Sequence, residues 1–556
     1  MSKRIKRTVF TSILCVALLL AGCGGGAAAA AEAPAAVSET DSSSAVTANV
    51  EAMDTGALFS TRDMEAGYDE SAAVSIRLGG DTALCSSSAV AIDGGEITLL
   101  AEGVYILSGT LTEGQVVVDA GDGAKVQIVL KGADITSAAS AAIYCREADK
   151  VFLTLAAGTE NSLYNGGSFQ PVDDSNIDAV VFSKTDLTLN GSGSLTVTSP
   201  GGHGIVSKDE LTITGGSYTL TAARHGLTGK DSVDIAGGSF SITSGSDGIH
   251  AENADDAAKG FLYIADGSFT IDAQGDAISA SGQLQIDGGS FALTAGGGSE
   301  GATMKAGDAM QRPGFQDFSV ADAADAADTA SCKGIKAGGA LTVSGGSFDL
   351  DTADDAVHSG GDVTITGGEW TIRTGDDGIH ADAAVLIQAG TFTIPYCYEG
   401  VEGQSVTIDG GTLDIIARDD GINAAGGADG SGTAYGFGRQ DPFAVDGNCA
   451  ITINGGEITI VSDGDCLDSN GILTVNGGTL KLTCNGNGNT AIDANGTFSN
   501  NGGSITTNDG SESGTGGMGG GRGGMGGGKP FDAEKAGGEG MPRAPGQQRP
   551  MPGAAA

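Results

Sequence analysis

The stretch Val363-Thr-Ile365-Thr-Gly-Gly-Glu-Trp370-Thr-Ile372-Arg-Thr-Gly-Asp-Asp377-Gly-Ile379 holds two short runs in which apolar residues alternate with polar ones, a Gly-Gly pair between them, and an acidic corner after them. Alternation with period two marks strands with one buried face, and paired glycines mark a turn. The same pattern recurs along the chain. Its closing aliphatic residue, two places after the acidic one here, reappears at Ile205, Leu227, Ile249, Ile278, Ile335, Val357, Ile379, Val401, Ile422, Leu467 and Ile492. Five of the ten steps are 22 residues and one is 21; the others are 22 plus insertions of 7, 35, 23 and 3. Self-similarity at such a period is the signature of a solenoid. Three short strands and three turns fit in 22 residues, so the sequence predicts an all-β fold, a right-handed parallel β-helix with about 22 residues per coil.

Working outward, the residue two places after each Gly-Gly or its equivalent is Tyr218, Phe240, Phe269, Phe291, Phe348, Trp370, Phe392, Leu413, Ile458, Leu480 and Ile505. Holding one place in every coil, it is expected to form an interior column, Trp370 included. From about 70 to 200 the strand-turn texture continues with weaker periodicity, read as irregular N-terminal coils and a cap; a separate β-sandwich is the alternative. The β-helix is expected over 56–505, with regular coils over 200–505.

The ends carry an address. Lys3, Arg4, Lys6 and Arg7 precede the apolar run Val9 to Leu20 and then Leu20-Ala21-Gly22-Cys23. The run is too short to span a membrane and reads as a secretory signal. The last four residues form a bacterial lipobox, so 1–23 is a lipoprotein signal peptide, Cys23 is the lipidation site, and the protein is expected on the extracellular face of the membrane. Residues 24–55 read as a flexible tether, and 509–556 as a disordered Gly/Pro-rich tail. Apart from Cys15 and Cys23, seven cysteines stand at no regular spacing, which argues against a complete disulfide framework.

Function points to the acidic corner. Two places before the aliphatic landmark stand His203, His225, Asp247, Asp276, Lys333, Asp355, Asp377, Glu399, Asp420, Asp465 and Thr490, with doubling at Asp354-Asp355, Asp376-Asp377 and Asp419-Asp420. Stacked about 5 Å apart, these carboxylates form a ladder of like charge. Calcium, a hard cation with oxygen ligands, suits such a row, so the expected metal ligands are Asp247, Asp276, Asp354, Asp355, Asp376, Asp377, Asp419, Asp420 and Asp465. The competing reading is plain turn chemistry, in which Asp accepts backbone amides. His250, His358 and His380 follow the landmark directly, at what alternation makes an outward, polar position; beside the carboxylates they could also suggest a transition metal. A net charge of −42 excludes nucleic acid as a partner.

Ile106-Leu-Ser-Gly-Thr-Leu111, Ala141-Ala-Ile-Tyr144, Asp149-Lys-Val-Phe-Leu-Thr-Leu155, Gly158-Thr-Glu-Asn161 and Phe182-Ser-Lys-Thr-Asp-Leu-Thr-Leu-Asn-Gly-Ser-Gly-Ser-Leu195 resemble the carbohydrate-binding parallel β-helix proteins of bacterial surfaces, whose coils are similar to family 9 polysaccharide lyases. The resemblance covers roughly 70 to 505. It implies a calcium-binding domain for plant-type polysaccharides, acidic ones included, with the family's calcium aspartates carried over to Asp247, Asp355, Asp377 and Asp420. Glu399, Asp465 and Lys333 depart from that pattern. The expectation is a monomeric, lipid-anchored, calcium-dependent polysaccharide-binding protein for pectin-like or plant cell-wall glycans. The alternatives are a calcium-dependent lyase, with Lys333, Lys336, Arg373 or Arg418 as base, and a structural adhesin displaying the insertions at 300–331 and 426–448.

Overall fold

The computed structural model describes residues 53–171, 175–302, 331–425 and 445–513. The signal peptide with Cys23, most of the tether, most of both insertions and the tail from 514 onward lie outside the described residues. No helix among the described residues is long and apolar enough to cross a membrane.

The described chain is almost entirely strand. Its pairings are parallel except for Val74–Gly80 with Ala83–Leu84 and Val90–Asp93 with Glu96–Leu99, which form antiparallel pairs at the N-terminal end. Strands of the weakly periodic stretch enter the same ladder as the regular ones. Ser194–Ser199, for example, pairs with Glu160–Asn165 on one side and Ser217–Ala222 on the other.

A regular turn of the chain runs through three strands, such as Leu227–Gly229, Ser232–Ile235 and Ser239–Ser244. Each pairs with its counterpart in the copies before and after. All eleven landmarks fall in one ladder, from Ile205 against Leu227 to Leu467 against Ile492. The pairing of Ile278 with Ile335 holds across the longest insertion.

The ring positions form a second ladder, and their side chains stack. Centroids are 5.3 Å apart for Tyr218 and Phe240, 4.8 Å for Phe240 and Phe269, 3.8 Å for Phe348 and Trp370, and 5.7 Å for Trp370 and Phe392. Trp370 is 2% exposed and donates Nε1–H to the Gly367 carbonyl at 3.2 Å, so it belongs to the core, as the alignment requires. Burying a side chain of this kind contributes about 1.5–3 kcal/mol. The corner before it needs glycine, because Gly368 has φ of 104° and an added Cβ would come within 2.8 Å of the Trp370 ring.

Helix Thr61–Met64 is strapped onto the N-terminal coils through a buried carboxylate. Asp63 accepts from Thr188 Oγ1 at 2.6 Å and lies 2.8 Å from Lys150 Nζ. Of the seven cysteines among the described residues five are buried, Cys145, Cys397, Cys449, Cys466 and Cys484.

Candidate functional site

The acidic corner is a hydrogen-bonded ladder before it is anything else. At six of the corners a carboxylate oxygen accepts the backbone N–H of the equivalent residue one coil on. Asp247 accepts from Asp276 at 2.9 Å, Asp276 from Lys333 at 2.8 Å, Asp355 from Asp377 at 3.2 Å, Asp377 from Glu399 at 3.2 Å and Asp420 from Asp465 at 2.6 Å; Asp465 accepts from Thr490. His203 and His225 do the same with Nδ1, at 3.3 and 3.1 Å. Turn chemistry therefore accounts for the acceptor at these corners, and Lys333 and Glu399 depart from it. The small residue that follows has its own cause: a Cβ on Gly378 would come within 2.5 Å of the Gly400 carbonyl, so Asp-Gly-Ile is a close-approach motif.

This bond occupies one oxygen. The second faces another column, formed by the residues directly after the landmark. Thr228, His250, Ser279, Lys336, His358, His380, Glu402, Asn423, Asp468 and Asp493 pair one after another along the same strand ladder. Alternation makes this an outward position, but side chains of the acidic corners and of the next coil close against it, in the short strand Val357–Ser359 and the long strand Ile379–Ile387 alike. His380 is 0% exposed and Glu402 and His358 are also buried, so the expectation of polar surface is corrected here.

From Asp247 to Asp377 this second column supplies side-chain nitrogens that face the carboxylates. Asp247 Oδ2 lies 2.6 Å from His250 Nδ1, and Asp276 Oδ2 lies 3.3 Å from Lys336 Nζ. Lys333, which breaks the acidic ladder, turns its Nζ to Asp355 Oδ2 at 2.6 Å and to Asp354 Oδ1 at 3.1 Å, while His358 Nδ1 reaches the same Asp355 oxygen at 2.9 Å. Burial alone would raise Asp355, yet Lys333, His358 and His380 hold its carboxyl well below the usual range. Burial opposes a charge on His380, but Asp377 at 3.3 Å and Glu402 at 2.9 Å push it up to about 11. The structure stacks these aspartates with Lys333, Lys336, His250, His358 and His380 already against them.

From Glu399 onward no lysine, arginine or histidine stands in either column among the described residues. Asp465, Asp468 and Asp493 bring carboxylate oxygens within 4.8 Å of one another. Burial, reinforced by Asp468, Asp419 and Asp465, pushes Asp420 up to about 9. Burial and the charges of Asp465, Asp493 and Asp419 push Asp468 up to about 7, and Asp465 rises to about 6 chiefly through burial. Asn423, 4% exposed, donates Nδ2–H to Glu399 at 2.9 Å, and its Oδ1 is a buried oxygen with no hydrogen-bond partner among the described residues. An all-oxygen donor set, mutual repulsion and an orphaned amide oxygen fit a hard divalent cation.

Of this group, sequence reading found Asp419, Asp420 and Asp465. It missed Asn423, Asp468 and Asp493, although all three stand one place after a landmark. The bases considered for a lyase are committed to partners. Lys333 is buried between two aspartates, Arg373 pairs with Asp349 at 3.5 Å, and Arg418 donates to the Tyr396 hydroxyl at 2.8 Å.

The chain matches the model of a family described as carbohydrate-binding domain-containing protein over residues 93–378 and 376–523. It is 37% identical over 129 residues to a carbohydrate-binding domain-containing protein of Acetivibrio thermocellus, a match that covers 23% of this chain and 45% of that relative. The chain thus spans just under half the length of the curated relative it matches. A solved polysaccharide lyase-like protein from C. thermocellum, in a gadolinium derivative, is 27% identical with a TM-score of 0.38, over 53% of this chain and 96% of that one.

Proposed function

The chain belongs to the carbohydrate-binding domain-containing family, and on that premise we propose that it is a calcium-dependent binder of acidic, pectin-like polysaccharide, held as a monomer on the extracellular face of the membrane by a lipid on Cys23. The observation that carries this reading is the uncompensated carboxylate cluster of Asp465, Asp468 and Asp493, with Asn423 Oδ1 and Asp420 beside it. These residues would hold the ion. A bound calcium keeps ligand positions for exchange, which lets a uronate carboxylate approach a chain of net charge −42 that would otherwise repel it. The winding that stacks the cluster is taken as right-handed, the rule for parallel crossovers, with about 22 residues per coil.

Retention on pectate, cellulose and chitin, with calcium and with EGTA, tests the reading. The expected result is calcium-dependent retention on pectate that Asp468→Asn abolishes. Retention that ignores EGTA would overturn it, and accumulation of ultraviolet-absorbing unsaturated uronates would replace the binder with a lyase.

A further inference from the structure

Two copies of the same corner differ in one atom's worth of charge. In the copy built on Asp355, the preceding acidic-column residue is Lys333, and His358 stands three places after the aspartate. Asp355 Oδ2 accepts there from both an ammonium at 2.6 Å and an imidazole at 2.9 Å. In the copy built on Asp247, the residue in the place of Lys333 is His225, and the residue in the place of His358 is His250. The corresponding distances to Asp247 Oδ2 are 3.6 Å from His225 Nδ1 and 2.6 Å from His250 Nδ1.

The second copy lacks the cation that lysine brings to the first. His225 Nδ1 accepts the Asp247 amide at 3.1 Å, so its lone pair points into the corner and its proton sits on Nε2. His250 donates from Nε2 to Glu252 at 3.1 Å, which directs its own Nδ1 inward in the same way. That Nδ1 is buried 2.6 Å from Asp247 Oδ2, where its proton is shared with the carboxylate until an ion displaces it. The two imidazoles stack with centroids 4.3 Å apart and planes 11° from parallel, so both Nδ1 atoms reach the same carboxylate oxygen from one edge.

We infer that His225, Asp247 and His250 form a site for a divalent transition metal of the zinc class, separate from the carboxylate cluster around Asp468. Two imidazole nitrogens and one carboxylate oxygen are the donor set of such ions, and tetrahedral zinc places its ligand atoms about 3.4 Å apart, between the two distances seen. Glu252 is the outer carboxylate that fixes a metal-binding histidine's tautomer. The three side chains are 14–23% exposed and border a cavity of about 600 Å³ that also meets Ser279, Ser331 and Lys336, leaving the fourth position open to water or ligand. The ion takes the Asp247 amide's place on His225 and joins two successive coils.

The test is zinc titration by calorimetry of the full chain, stripped of metal and then saturated with calcium so that the acidic cluster does not compete. One zinc per chain is expected, with cobalt giving the strong visible bands of a low-coordinate site. His250→Gln should remove this binding and His358→Gln should leave it unchanged. Glu252→Gln, at a side chain 58% exposed and outside the packed interior, should weaken it about 10-fold or more without affecting folding. Absence of zinc uptake by the wild type, or affinity unchanged in both Glu252→Gln and His250→Gln, would overturn the site and leave His250 as an imidazolium paired with Asp247. Melting temperatures of the same variants report their folding, and calcium-dependent pectate retention measured beside them tells failure of the carboxylate cluster from failure of this site.

Discussion

The coils from Asp247 to Asp377 and those from Glu399 to Asp493 share one backbone ladder and one set of carboxylate caps, yet their charge is settled differently. In the first set the second column provides His250, Lys336, His358 and His380, and Lys333 enters the acidic column itself. In the second set it provides Glu402, Asn423, Asp468 and Asp493. Identical main-chain geometry thus yields a self-neutralised wall in one region and an anionic one in the other. The repeat fixes where side chains meet, and the residue one place past the landmark decides what they do there.

The hardest way to break the first region is Lys333→Met, which strands Asp355 at 0% exposure without its ammonium. Removing one partner of a buried pair costs about 3–5 kcal/mol, and urea unfolding should show that loss with or without calcium. A loss below about 1 kcal/mol would mean that His358 and His380 suffice.

The second region should respond to pH and metal together. Asp420, Asp465 and Asp468 have folded-state values of about 9, 6 and 7, all above an unfolded carboxylate. Between the unfolded and folded values the folded chain holds protons that the unfolded chain has released, so stability falls as pH rises through that window. In EGTA the melting temperature should therefore be higher at about pH 5 than at about pH 8, and calcium, taking the place of those protons, should flatten the slope. A calcium-independent profile would reduce the cluster to turn chemistry.

The smallest effect sharpens the contrast between core and wall. Trp370→Phe keeps the stack between Phe348 and Phe392, should cost about 1 kcal/mol, and should leave pectate retention untouched. Lost retention at full stability would place the ring in the binding surface.

Much of the fold was legible because strand burial repeats at a fixed interval. Aligning the landmarks alone paired Ile278 with Ile335 across an insertion, and the ring positions stacked as aligned. The site was legible by half. The acidic column was visible as residues, but its neutralisation depends on side chains from the next coil, and a rule that sends alternate residues outward fails where carboxylates of adjoining corners close against them, as at His358 and His380. Asp468 and Asp493 went unseen because they stand one place past the landmark, outside the acidic column, and His380 was taken for surface.

The register of Ile278 against Ile335 has a practical corollary. The ladder closes with the same three pairs after a detour of 57 residues as it does after 22, as between Ile335 and Val357. Foreign sequence spliced at that corner would leave the stacking on both sides intact, which makes the position a grafting port where an epitope, an enzyme domain or an affinity tag can be mounted without redesigning the scaffold.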